Sequence, residues 1–186
     1  MDIFERALEF ARRAHDGQKR KYTGTPYIAH AIEVSSILAM FGQPDNVVVA
    51  GLLHDTIEDC GVTADDLSLN FGEQVAQLVL EVTDISRPQD GNRAARKKID
   101  RDHLSSASIG GQNIKCADLI SNTRTIVDFD NSFAAVYLVE KRETLEVLTK
   151  ASRALRSSAL ATLVDAERTF AERNQAPILQ GSKFNP

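Results

Sequence analysis

The sequence predicts an all-α protein built as a single domain. Apolar residues recur at spacings of three and four along most of the chain, and no stretch alternates apolar and polar residues for long enough to make a useful strand. The length of 186 residues suits one domain with a sizeable core.

IFERALEFARRAH puts Phe4, Leu8, Ala11 and His15 on one helical stripe. PYIAHAIEVSSILAMFG repeats the pattern with His30, Val34, Ile37, Leu38 and Phe41; Pro26 suits a helix start, and Gly42 followed by Pro44 makes a stop. Asp45 is placed to cap a third helix, which runs from NVVVAGLLH into DTIED. Thr63 and Asp66 pair as a capping box in TADDLSLNFG, a helix that ends at Gly72. EQVAQLVLEVTDI is amphipathic, and the clearest loop lies around Pro88 to Asn92. After Gly110 and Gly111 come helices in QNIKCADLISNTRTIV, SFAAVYLVEKRETLEVLT and SRALRSSALATLVDAERTF. The folded domain is expected over residues 1–174, with an irregular tail over 175–186.

Composition narrows the function. A formal net charge of −4 gives no general attraction to nucleic acid or anionic membrane, so an anionic ligand must be held by local basic groups or a metal. Cys60 and Cys116 are too few for a disulfide framework, MDIFERALEF lacks a signal-peptide core, and no apolar run approaches the ~20 residues of a membrane span. A cytoplasmic protein is expected.

The informative stretch is AGLLHDTIEDCG. On a continuous helix, His54 and Glu58 lie one turn apart, as do Asp55 and Asp59. Like charges at that spacing repel, and acids at a helix C-terminus oppose the macrodipole. A cation would offset both costs; the plainer reading is a solvated acidic helix end. Gly51 falls within the same patch, where a helix-interior glycine costs about 1 kcal/mol relative to alanine and calls for close approach by a ligand or a neighbouring helix. His30 sits on a face that should be buried, and Asp118 shares a face with Asn122 and Thr125. Each alone reads as ordinary core chemistry. Together His30, His54, Asp55 and Asp118 make the order H…HD…D, whose imidazoles and carboxylates suit Mn, Fe, Zn or Ni better than Mg or Ca.

These motifs resemble the HD-superfamily phosphohydrolases, and within them the small alarmone hydrolases, which are like the hydrolase half of RelA/SpoT proteins and the metazoan SpoT homologue. GQKRKYTGTPYIAH, LLHDTIED, KCADLISNTR and VYLVEK carry the resemblance. It implies an HD-type helical bundle that removes the 3′-diphosphate of ppGpp-type nucleotides and releases pyrophosphate, using one divalent ion, Mn²⁺. The same chemistry on ppApp is left open. By position it implies His30, His54, Asp55 and Asp118 as metal ligands, Glu58 and Asp59 as the catalytic acidic pair, and Arg20, Lys21, Asn122, Thr125 and Tyr137 as substrate contacts. Leu119 departs from the Lys or Arg that many relatives carry after the aspartate, which suggests a missing polar contact near the pocket. The expected partner is a small nucleotide, with no nucleic acid and no membrane; a homo-oligomer is left open. The competing readings are another HD-type nucleotidase and a binding-only nucleotide sensor. Lys115, His15 and His103 receive no role.

Overall fold

Local signals set the helix ends. The Asp2 carboxylate accepts the Glu5 amide at 2.8 Å while Glu5 reaches back to the Asp2 amide, which starts α1 (Ile3–Ala14). The same reciprocal pair, Thr63 and Asp66, starts α5 (Ala64–Phe71), and Gly72 ends it. Between them lie α2 (Ile28–Met40), α3 (Asp45–Leu53) and α4 (Thr56–Cys60). Then follow α6 (Glu73–Val82), α7 (Arg93–Ser106), α8 (Ile109–Phe129), α9 (Asn131–Val147) and α10 (Arg153–Gln175). This computed structural model describes residues 2–21, 23–129 and 131–175; of the expected tail, only Gln175, the end of α10, is among them. Among the described residues a single β-bridge, Lys19 to Pro26, takes the place of strands, and no helix is long and apolar enough to cross a membrane.

Three local expectations need correction, and one helix has no clear signal. Asp45 is the first residue of α3 rather than its cap, a position where its charge still favours the helix N-terminus. The helix expected to run through HDTIED stops at Leu53 and restarts at Thr56. The cause is side-chain competition for the last carbonyls: His54 Nδ1 donates to the Gly51 carbonyl at 2.9 Å and Thr56 Oγ1 to that of Leu53 at 2.7 Å. α8 begins at Ile109 and includes both glycines rather than following them. α7, too polar to show a clear stripe, is capped by Asn92 and buries Asp100 and Leu104.

The core explains why α3 is apolar all round: Val47 through Leu53 are all buried, with α2, α6, α1 and α8 packed around them. α8 is the other central element, in contact with α2, α3, α6, α9 and α10. Gly51 marks the closest approach, since a Cβ there would stand 2.4 Å from Leu38 Cδ1 on α2. The two polar residues at the start of α8 act as braces. Fully buried Gln112 donates to the Leu104 carbonyl and accepts the Lys150 amide at 2.7 Å, and Asn113 accepts the Ser152 amide and donates to Gln43. They tie α7, the α2–α3 turn and the α9–α10 turn to the central helix.

Candidate functional site

The break between α3 and α4 decides the site. Because the chain turns at Asp55 (φ −99°, ψ 0°), the His54 ring stays in the core while the Asp55 carboxylate swings toward the N-terminal end of α2. There it meets His30, and Asp118 arrives from the middle of α8. His30 Nε2 lies 3.3 Å from Asp118 Oδ1 and 3.7 Å from Asp55 Oδ2; His54 Nε2 lies 2.8 Å from Asp55 Oδ2 and 3.9 Å from Asp118 Oδ1. His30, His54 and Asp55 each offer a ligand atom within 4.8 Å of the others, and Asp118 stands beside both rings.

The outer bonds assign the tautomers. His54 Nδ1 faces a carbonyl, so it carries the proton. Ser121 Oγ donates to Glu33 at 2.7 Å and therefore accepts from His30 Nδ1 at 2.9 Å. Both Nε2 lone pairs then point inward, and neither has an aligned hydrogen bond although both are buried. Proximity to the carboxylates does not settle them, because a bare lone pair facing a carboxylate oxygen is repulsive unless a proton or cation stands between. A proton is one answer: burial pulls the His54 pKa down, but Asp55 and then Asp118 outweigh it and raise it to about 9. A divalent ion satisfies both rings and both carboxylates together, and a ring N–H fixed by a carbonyl or hydroxyl is the usual support for a metal-binding imidazole. The donor set fits such an ion.

The acids and bases expected around this centre divide into walls. The cavity above it measures about 350 Å³ and is lined by Tyr27, Asp55, Glu58, Asp84, Lys115 and Asp118, among others. A roomier cleft of about 580 Å³ lies between α1 and α5, beside Phe10, Arg13 and Phe71, and touches none of the histidines or carboxylates of the centre. Glu58 accepts the Asp84 amide at 3.2 Å; its tip reaches solvent but its seat is concave, and burial followed by the Asp84 charge pushes its pKa up to about 6. Asp59 lines the same cavity and accepts from Gln18 Nε2 at 3.2 Å.

The other expected contacts fall close by, with differences. Arg20 does not lie free for stacking: its guanidinium donates to Asn122 Oδ1 at 2.8 Å, and Asn122 Nδ2 donates to Asp118 Oδ1 at 2.5 Å. Lys21 Nζ stands 5.5 Å from the centre of the Phe133 ring, and Phe133 and buried Tyr137 form an aromatic wall with centroids 6.0 Å apart. The side chain of Thr125 lies outside what the structure describes. Leu119 is a core residue, 1% exposed and absent from the cavity wall, so its replacement of a basic side chain removes no contact from this pocket.

Several residues that the sequence left unassigned belong to the site. The Tyr27 hydroxyl donates to Asp55 Oδ2 at 2.5 Å. Lys115 Nζ pairs with Asp118 Oδ2 at 3.2 Å; burial would strip its proton, but Asp118, Asp84, Asp55 and Glu58 hold its pKa well above the usual lysine range. Its spacing of three from Asp118 was the available signal. Asp84, Lys97 and Asp100 gave none, because α7 and the loop before it come to the pocket through tertiary packing. His15 and His103 stay outside: His15 stacks on Tyr27 at 4.7 Å and His103 faces the Leu80 carbonyl.

Comparison with known proteins gives the family and the fold. A family model described as HD domain matches residues 7–165. Guanosine-3′,5′-bis(diphosphate) 3′-pyrophosphohydrolase MESH1 of Homo sapiens is 41% identical over 123 residues, 64% of this chain and 67% of that protein. A probable GTP pyrophosphokinase of Mycobacterium leprae is 38% identical over 150 residues, 80% of this chain but 18% of that protein, so the chain spans under a fifth of that relative. A solved structure of a metazoan orthologue of SpoT, described as hydrolysing ppGpp and playing a role in starvation responses, superposes with a TM-score of 0.76 at 27% identity, covering 93% of this chain and 96% of that one. The matched span takes in His30, His54, Asp55 and Asp118 together with the helices that converge on them, and the chain belongs to the HD domain family.

Proposed function

We propose that this protein hydrolyses the 3′-diphosphate of ppGpp-type nucleotides, releasing pyrophosphate, with one Mn²⁺ held by His30, His54, Asp55 and Asp118. One observation carries the reading: two buried imidazoles turn unpaired Nε2 atoms toward two carboxylates at the floor of a pocket that also offers an acidic pair and several ammonium groups. The relatives that share the fold supply the substrate class.

A divalent ion at this centre supplies positive charge to the phosphoryl group and acidifies water. Water adds at the phosphorus attached to the 3′ oxygen, the P–O3′ bond breaks, and the 3′ oxygen leaves with the bonding pair and takes up a proton. Glu58, with a pKa near 6, is ionised at neutral pH yet basic enough to accept the proton that the water loses. Asp59 orients the same water. Lys115, fixed against Asp118, offsets the negative charge of the diphosphate under attack. Phe133 and Tyr137 present faces to the purine, which every purine shares, so ppApp is included as a substrate. Two free cysteines suit a reducing cytoplasm as the setting.

The test is product identity. Metal-stripped protein incubated with ppGpp should be silent, and Mn²⁺ should start release of pyrophosphate. Orthophosphate as the product would replace this reading with a nucleotidase; nucleotide binding without turnover would replace it with a sensor.

A further inference from the structure

The basic residues of the pocket are not equivalent. Arg93 Nε lies 2.6 Å from Glu140, Lys97 Nζ 2.6 Å from Asp84, Arg101 Nη1 2.8 Å from Glu143 and Lys115 Nζ 3.2 Å from Asp118. Each of these cations is matched by a carboxylate of the protein itself. Lys141, which lines the same cavity, is different. Its Nζ stands over the Tyr137 ring, 5.2 Å from the centre, and no carboxylate of the described residues lies within ion-pair distance of it.

Taking an ammonium out of water without a counter-charge is costly, and a ring face replaces little of the lost hydration. Burial, and then the charge of Lys115, lower the Lys141 pKa, and the more distant carboxylates of Asp118 and Asp84 offset this only in part. The position on α9, one turn after Tyr137, puts that cation beside the aromatic wall rather than on a metal ligand. At the metal end Lys115 already occupies Asp118.

We infer that Lys141 recognises a second phosphate group of the nucleotide, the one carried away from the metal, and makes tight binding depend on that group. The inference rests on the proposed hydrolase reading for its substrate, but not for its anion. A nucleotide bearing phosphate at both ends would engage the metal centre with one and Lys141 with the other, while the purine lies along Phe133 and Tyr137. Among the described residues that line the cavity, the four paired cations then serve to shape the wall, and Lys141 discriminates.

The experiment compares wild type with Lys141→Met, which keeps the length of the apolar stem, and with Lys141→Arg, which keeps the charge. Turnover is measured on ppGpp and on guanosine 3′-diphosphate, which has no 5′ phosphate. Binding of GDP to metal-stripped protein is measured by calorimetry. A charged hydrogen bond lost to phosphate should raise the KM for ppGpp about tenfold or more, with a much smaller change in kcat. The same substitution should cost the 5′-free substrate far less, GDP affinity should fall in parallel with the rise in KM, and Lys141→Arg should recover most of both. Melting temperature of Lys141→Met should equal or exceed that of wild type, because a half-buried charge without an ion-pair partner has been removed. GDP affinity and KM within twofold of wild type would overturn the assignment. Equal losses on both substrates would overturn it too, by placing Lys141 at the reacting end. If wild type turns over neither substrate, the hydrolase reading fails by itself, and GDP binding still decides for or against Lys141.

Discussion

The Tyr27 hydroxyl donates a 2.5 Å hydrogen bond to Oδ2 of Asp55, the carboxylate released from helical geometry by the α3–α4 break. Burial and the Asp55 charge hold the Tyr27 pKa far above the usual tyrosine range, so the phenol is a donor at every working pH. A donor of this kind would aim Asp55 at the proposed metal ion. Tyr27→Phe keeps the ring that stacks on His15 and loses the bond, so Mn²⁺ affinity should fall by roughly 10–100-fold. Metal titration by calorimetry or electron paramagnetic resonance reads this directly. An unchanged Kd would sink the idea.

Glu58 should show opposite effects on stability and rate. Its folded pKa, about 6, stands above the ordinary value of 4.5, so folding favours the protonated form. Its contribution to stability is therefore full below pH 4.5 and lost as pH rises through about 6. In metal-stripped protein Glu58→Gln should gain stability relative to wild type across that window and hold the gain above it. Its kcat should nonetheless drop by ~10²–10⁴-fold, as for a lost general base. Wild-type kcat should rise with pH through the same region. Finding Glu58→Gln with wild-type kcat would return this residue to the status of an exposed acid.

Asp100 pins the loop that carries Asp84. Its buried carboxylate accepts the Ile85 amide at 3.1 Å, the Ser86 amide at 2.9 Å and the Ser86 hydroxyl at 3.0 Å. Asp100→Ala orphans all three donors and should cost roughly 2–4 kcal/mol in denaturant unfolding. It should also slow turnover, because the Asp84 amide that holds Glu58 sits on the same loop. Asp100→Asn keeps one acceptor oxygen and should cost clearly less. Equal costs for the two substitutions would show that the carboxylate is not the anchor.

Gly51→Ala tests the packing beneath the proposed metal centre. The added Cβ would meet Leu38 Cδ1 at 2.4 Å on a buried helix face, so overpacking of about 1–3 kcal/mol should exceed the small gain in helix propensity. Thermal unfolding measures it; a stabilised variant would mean that Leu38 can move aside freely.

The helix pattern and the H…HD…D order were legible because both are local. The spacing of Phe4, Leu8 and Ala11, the Thr63–Asp66 cap and the row of Asp118 and Asn122 depend on periodicity and on side chains a few residues apart. What Gly51 is for was not legible: the sequence allowed a ligand or a helix beside it, and only packing showed that the neighbour is Leu38 on α2. The same holds for His54 and Asp55. A continuous helix would have spread them around its axis, and the break that brings both to His30 depends on hydrogen bonds to carbonyls that a pattern does not count. α7 escaped notice because a helix of Arg, Lys and Asp is stabilised by what it meets, here Glu140, Glu143 and the loop at Ser86, more than by an apolar stripe. Charge pairing across the pocket is a further matter of distance in space. Lys97, Lys115 and Lys141 are alike in the sequence, and the fold alone leaves the last of them without a carboxylate among the described residues.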